Sequence, residues 1–297
     1  MMQHIKHNLR LGVLGGMGTE ASIYFQNIIA QKRGASHDQA HLPVVCITNP
    51  NIPDRTAYLL DKTKKNPVPE LLKSIQDLED LKGVYCAVMA CNTAHAFYKT
   101  LQKYTHLVIL DMIKYTVDFI RSDYPDTCIG LLATTGTCKT GVYDEYFQKY
   151  NMTPFKPDEY SQQYHVHHAI YGDDVQSGIK GGEYDKSADL LITAIETLHN
   201  HHGVNVIILG CTELPLVRKK LESALPHIDF IDPMEVVAQK AIDIHDGVMD
   251  KLSSNVAITT IKSVLDLHTD SDIIDYITMQ ARIYCVKNLS FSGEFYE

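Results

Sequence analysis

No Cys-x-x-Cys pair occurs in this 297-residue chain, although it holds seven cysteines: Cys46, Cys86, Cys91, Cys128, Cys138, Cys211 and Cys285. Zinc-ribbon frameworks and thioredoxin-type redox pairs are thereby excluded. The odd, dispersed set fits a reducing compartment in which single thiols are open to chemistry. Nor does any run approach the roughly 18 apolar residues of a membrane span. The apolar stretch behind the polar start, Met1–Arg10, is cut by Gly15, Gly16 and Gly18 and is too short for a signal-peptide core. A cytoplasmic protein with no membrane partner is expected. A basic excess is missing as well. The 27 Lys and Arg against 36 Asp and Glu leave a formal charge of −9, which argues against a nucleic-acid partner. An anionic small molecule is still allowed, because a few local cations outweigh distant net charge.

What is present is an ordinary globular composition, 45% apolar and 21% charged, over a length that suggests about two domains. Short apolar runs predict buried strands at Leu11–Leu14, Val44–Thr48, Val84–Met89 and Val108–Leu110, and again at Ile129–Leu132, Val204–Leu209 and Ile228–Ile231. Helical spacing links Leu71, Leu72, Ile75, Leu78 and Leu81. A second stripe of Leu190, Leu191, Ala194, Ile195 and Leu198 runs within Ser187–His202. Asp232-Pro233 predicts a capped helix running toward Met249. Strands alternating with helices imply parallel sheets covered on both faces.

The chain also repeats itself. Leu11-Gly-Val-Leu-Gly-Gly-Met-Gly-Thr19 aligns with Ile129-Gly-Leu-Leu-Ala-Thr-Thr-Gly-Thr137 at an offset of 118 residues. Val84-Tyr-Cys-Ala-Val-Met-Ala-Cys-Asn92 aligns with Val204-Asn-Val-Ile-Ile-Leu-Gly-Cys-Thr212 at an offset of 120. Similarity between parallel strands covers the apolar letters but not Gly18/Gly136 and Cys91/Cys211 together. The expectation is an α/β protein of two similar pseudo-symmetric domains, each a parallel four-stranded sheet flanked by helices.

Cys91 and Cys211 each end an apolar strand, where doubly wound sheets bind ligands. A lone buried cysteine is usually a small hydrophobe; two at equivalent places suggest more. The residues behind them, Asn92-Thr93 and Thr212-Glu213, look able to start helices whose amides would lower a thiol pKa. Two facing thiols suit inversion of a stereocentre, one taking a proton as thiolate and the other returning one to the far face. The carbanion would need donors at the substrate α-carboxylate. Asn92, Thr93, Thr135 and Thr212, with Met17 and the amides of the Gly15–Gly18 loop, are of the right kind. The same residue types also cap helices.

Leu14-Gly-Gly-Met-Gly-Thr19, Asn51-Ile-Pro-Asp-Arg-Thr56, Met89-Ala-Cys-Asn-Thr-Ala-His95 and Leu209-Gly-Cys-Thr-Glu-Leu-Pro215 resemble the aspartate/glutamate racemase family, most nearly its aspartate members, over about residues 9–247. The resemblance implies cofactor-independent racemisation between two domains, with Cys91 and Cys211 as the acid/base pair, and a homodimer. It also implies a first domain of residues 1–117 completed by 227–250, and a second of 118–226. In that family, residues matching Arg55 and Lys180 recognise a side-chain carboxylate, so a dicarboxylic amino acid is the expected substrate. Thr19, where many members carry proline, departs from the pattern. Residues 251–297 form an extension that is either an interaction appendage or a packed decoration.

Other signals compete. Gly16-Met-Gly-Thr-Glu-Ala21 satisfies a GxGxxA dinucleotide pattern, yet Asp38 ends no second strand. His165-Val-His-His168 and His199-Asn-His-His202 hint at a metal but lack metalloenzyme spacing, and surface histidines are expected. His95 either tunes Cys91 or packs the turn. Lys62–Lys65 is expected on a solvated loop, placed to serve as a flap near Arg55. A two-cysteine isomerase or decarboxylase of a small carboxylic acid, a non-catalytic amino-acid-binding protein and an NAD-dependent reductase are the alternative functions.

Overall fold

Two all-parallel sheets organise the computed structural model, which describes residues 9–254 and 263–289. The first is built from β1 (Arg10–Gly15), β2 (Val44–Thr48), β3 (Val84–Met89) and β4 (Val108–Leu110), in the order β2-β1-β3-β4. The second has β5 (Ile129–Ala133), β6 (Val206–Gly210) and β7 (Asp229–Ile231) in the order β5-β6-β7. Helices follow in chain order: α1 (Thr19–Arg33), α2 (Arg55–Leu60), α3 (Val68–Glu79), α4 (Tyr98–Gln102), α5 (Met112–Asp123), α6 (Thr135–Thr140) and α7 (Val142–Gln148). Then come α8 (Glu159–Ser161), a π segment (Gln162–His167), α9 (His168–Tyr171), α10 (Asp185–His202), α11 (Arg218–Ala224), α12 (Pro233–Ser254) and α13 (Asp270–Leu289).

The expected four-stranded second sheet has three strands among the described residues. A single parallel bridge pairs Gly130 with Phe155 where a fourth would lie. Leu131 N–H donates to the Phe155 carbonyl at 2.8 Å and Phe155 N–H to that of Ile129 at 2.7 Å. Pro154 and Pro157 bracket this contact. Neither has an N–H for the ladder, so the strand stops after one residue.

Strand burial follows the apolar runs: Leu11, Val13 and Leu14 of β1 and the whole of β6 are buried. Helix α3 buries Leu71, Ile75 and Leu78 but ends at Glu79, leaving Leu81 exposed. Helix α10 buries Ala188, Leu191, Ala194, Ile195 and Leu198, with Leu190 half-buried beside them. It stops at Gly203, whose positive φ of 65° suits a residue without Cβ. Helix α12 opens as expected, the Asp232 carboxylate accepting from Met234 N–H at 2.8 Å ahead of Pro233 in the first turn. It runs to Ser254 and lays Met234, Val237, Ala238, Ala241, Ile244 and Val248 into the core of the first sheet. The chain therefore returns to its first half after completing the second sheet.

The extension packs on that same core. Helix α13 buries Tyr276, Ile277 and Ala281 there, and Lys240–Asp270 (2.8 Å) and Lys251–Asp275 (2.6 Å) pin it to α12. A Cβ at Gly247 of α12 would stand 2.6 Å from Ile274 Cδ1, so glycine permits the close approach. The run Val256–Ile261 and the side chain of Cys285 lie outside the described residues. Because Ile277 is fully buried, Ile277→Ala should cost about 2–5 kcal/mol, the range for truncating a core isoleucine. Urea unfolding measures it; a loss under about 0.5 kcal/mol would be the value of a surface site and would show that the extension does not share the core.

Candidate active site

Both sheets deliver a cysteine just past the carboxyl end of a central strand, Cys91 behind β3 and Cys211 behind β6. Each is 4% exposed. The elements that follow are short 3-10 turns, Thr93–Phe97 and Leu214–Val217, rather than the helix starts expected from sequence. Charged side chains consequently dominate the surroundings of the thiols.

The charged partners differ on the two sides. Arg55, the first residue of α2, is buried and lies beside Cys91. One terminal nitrogen donates to the Ile52 and Pro53 carbonyls at 3.3 and 3.2 Å, the other to the Met17 carbonyl at 3.1 Å. Burial opposes its charge, but Cys91, Asp54 and Tyr171 hold its pKa above the ordinary value. Its Nε finds no partner among the described residues. Cys211 instead donates its S–H to Glu213 Oε2 at 3.0 Å. Burial pushes that thiol well above its usual pKa, the Glu213 carboxylate adds to the rise, and Lys180 only partly offsets it. This corrects the expectation of a thiol lowered by helix amides.

Glu213 is the residue that sequence reasoning passed over. It is 3% exposed, and every hydrogen bond of its carboxylate is to the site. Its Oε1 accepts from Gly18 N–H at 3.1 Å and is ion-paired with Lys180; its Oε2 also accepts from the Thr212 hydroxyl at 3.2 Å. Lys180 is close enough to feel the charge of both Cys211 and Cys91. In sequence, an acid three places after a strand end looks like an ordinary first-turn residue.

The expected α-carboxylate donors are partly rearranged. Asn92 is fully buried, its Oδ1 accepting from the Tyr143 hydroxyl at 2.6 Å, while its Nδ2 has no partner among the described residues. Thr93 joins Thr134 and Thr137 in a ring of hydroxyls at 2.9–3.0 Å that bridges the halves. Thr135 stands aside, accepting from Gln162 at 3.3 Å. Met17 contributes a buried side chain and a carbonyl rather than an amide. The Gly16 and Gly18 amides are already given to Ser22 Oγ (2.9 Å) and Glu213. A carboxylate on the Gly18 amide also opposes a dinucleotide pyrophosphate there. Gly136 brings α6 against α2, since a Cβ would lie 2.9 Å from Thr56 Cα.

His95 is a backbone support. Its Nδ1–H donates to the Cys91 carbonyl at 2.9 Å and its Nε2 accepts from Met112 N–H at 3.3 Å, while burial lowers its pKa and keeps it neutral. Of the other histidines, His165 pairs with Ser161 (3.1 Å), His199 with the Val204 carbonyl (2.9 Å), and His201 and His202 are exposed. Among the described residues no group of three His, Cys, Asp or Glu is placed to hold a metal ion, and no helix is long and apolar enough to cross a membrane. Lys62–Lys65 is an exposed turn after α2.

Against known proteins, residues 14–241 match the profile of the Asp/Glu/hydantoin racemases. The chain belongs to this family. Aspartate racemase from Picrophilus torridus superposes with a TM-score of 0.68 at 26% identity, over 80% of this chain and 94% of that one. A broad specificity amino-acid racemase from Bacillus subtilis is 26% identical over 74% of this chain and 92% of its own length. A glutamate racemase from Carboxydothermus hydrogenoformans is 26% identical over 53% of this chain, and that alignment spans only 55% of the relative.

If the Glu213 carboxylate holds Cys211 in the thiol form, Glu213→Gln removes a like charge and leaves Lys180 uncompensated, so the pKa of Cys211 falls. Alkylation by iodoacetamide at pH 8, followed by peptide mass spectrometry, should then label Cys211 on the order of tenfold faster than in wild type. An unchanged or slower rate would refute the assignment.

Proposed function

We propose that the protein is a cofactor-independent racemase that interconverts L- and D-aspartate, and also accepts glutamate, through a thiol/thiolate pair. The observation that carries this reading is the pair of buried thiols at equivalent strand ends with unlike charged neighbours, Arg55 at one and Glu213 at the other. A thiolate at Cys91 has Arg55 as counter-charge, and Cys211 rests as a thiol. The Cys91 thiolate removes the α-proton, and the S–H of Cys211 delivers its proton to the opposite face. Cys91 ends as thiol and Cys211 as thiolate, so the product complex is the starting state for the reverse reaction. Each transfer is general acid or base catalysis, worth typically 10²–10⁴-fold.

The carbanion needs fixed donors, and buried donors without partners mark where a ligand completes the hydrogen bonding. Asn92 Nδ2 is such a donor for the α-carboxylate, with Thr93 next to it in the same turn and Thr212 behind β6, while Thr135 stands aside. Arg55, with its unpartnered Nε, and Lys180 receive the distal carboxylate, Arg as a planar fork and Lys as a point charge. The similarity to an aspartate racemase supports aspartate, and that to glutamate racemases supports the longer acid. A homodimer in the reducing cytoplasm completes the proposal, in keeping with six described cysteines that are all unpaired.

Purified protein in D₂O should exchange the α-hydrogen of L-aspartate and form D-aspartate, seen by chiral chromatography, while alanine stays unchanged. Cys91→Ala and Cys211→Ala should each lower racemisation by about 10³-fold or more. Elimination of HCl from a β-chloro amino acid needs one base and should survive one of the two changes. Racemisation near the wild-type rate in either cysteine variant would exclude the mechanism. Racemisation of alanine as fast as aspartate would exclude the distal-carboxylate assignment.

A further inference from the structure

Two tyrosines one turn apart on α7 reach from the second half of the chain into the turn that carries Cys91. Tyr143 Oη donates to Asn92 Oδ1 at 2.6 Å, and Tyr146 Oη donates to Asp111 Oδ2. Asp111 in turn caps α5, accepting from Ile113 and Lys114 N–H at 3.1 Å each. The next amide, Met112 N–H, donates to His95, which holds the Cys91 carbonyl. One helix face therefore touches the catalytic turn directly at Asn92 and indirectly at Cys91.

We propose that Tyr143 is a positioning residue that fixes the Asn92 amide with its NH₂ turned toward the substrate carboxylate. An amide is nearly symmetric in shape, so only its hydrogen bonds choose between the two orientations. Tyr143 is 1% exposed, and its hydroxyl proton requires an acceptor. Asn92 Oδ1 supplies it. A flipped amide would leave that proton unsatisfied and would aim Oδ1, an acceptor, at an anion. Burial and the nearby Asp232 and Asp111 raise the Tyr143 pKa far above its ordinary value, so the phenol stays a donor. The orientation of a first-half donor is thus set by the second half, and it exists only when the halves are docked.

This inference rests on the reading that Asn92 binds a substrate carboxylate, and the test separates the two. Tyr143→Phe, Asn92→Ala and the double variant are compared for kcat and KM with L-aspartate, alongside ¹⁵N spectra of the Asn92 side-chain amide, assigned by its disappearance in Asn92→Ala. Tyr143→Phe should lower kcat/KM on the order of tenfold, the scale of one hydrogen bond to a charged group. It should shift the Asn92 amide resonances, and it should add nothing in the Asn92→Ala background. Unmoved amide resonances would overturn the positioning role whatever the activity. So would a Tyr143 effect that multiplies with that of Asn92→Ala, as a general structural loss would. Absence of α-hydrogen exchange in the wild type would overturn the functional reading instead, with the amide spectra still deciding the orientation.

Discussion

A carboxylate buried to 3% exposure must be answered by donors on every side, and the arrangement of this site follows from how Glu213 is answered. An uncompensated buried charge costs roughly 3–5 kcal/mol when a partner is lost. Here the answer comes from Lys180, the Gly18 amide, the Thr212 hydroxyl and the Cys211 thiol. Gly18 belongs to the loop behind β1, whereas the other three belong to the second half, Lys180 between β5 and β6 and Thr212 and Cys211 just behind β6. The same group that bridges the two halves therefore also accepts from the Cys211 thiol and adds to the rise of its pKa. Domain docking and thiol protonation are one electrostatic problem with one solution.

That solution breaks a symmetry the fold would otherwise impose. Similar strands bring Cys91 and Cys211 to matching positions, yet the proposed mechanism needs one of them charged and the other not. Difference comes from residues the repeat does not share. Arg55 enters from α2 beside Cys91, and Glu213 follows Cys211 where Thr93 stands after Cys91. The site needs opposite surroundings at like positions, and the loops supply them while the sheets supply the positions.

The strands and the start of α12 were legible because their signals are local: apolar runs, a cap and a proline mark them within a few residues. The return of α12 to the first sheet was implied only by the family resemblance. The role of Glu213 was not legible. Its partners Lys180 and Gly18 lie 33 and 195 residues away in sequence, and no local pattern announces them. Thr134, Thr135 and Thr137 present the same residue type. Only the capping bond from Thr137 N–H to Thr134 Oγ1 at 3.2 Å turns two of them toward Thr93 and leaves the third for Gln162. The truncated strand at Phe155 could have been read from Pro154 and Pro157, whose missing N–H groups are visible in the sequence itself.

The extension acts on a different part of the molecule. Tyr276 of α13 reaches the His106 carbonyl at 3.4 Å, ahead of β4, and its neighbours pack beside the start of β3. These are the amino ends of the strands, whereas both thiols sit beyond carboxyl ends. In parallel sheets the two ends are separated by the full strand length, about 3.3 Å per residue, or roughly 20 Å for the six residues of β3. The extension meets the first half at several places: on α12, whose other faces meet α1 and α5, on β3, and on α5, where Tyr115 Oη donates to Asp270 Oδ1 at 3.3 Å. It therefore shares the core of the helix on which the first half is assembled, and its apolar face and two ion pairs to that helix add to the stability of the frame.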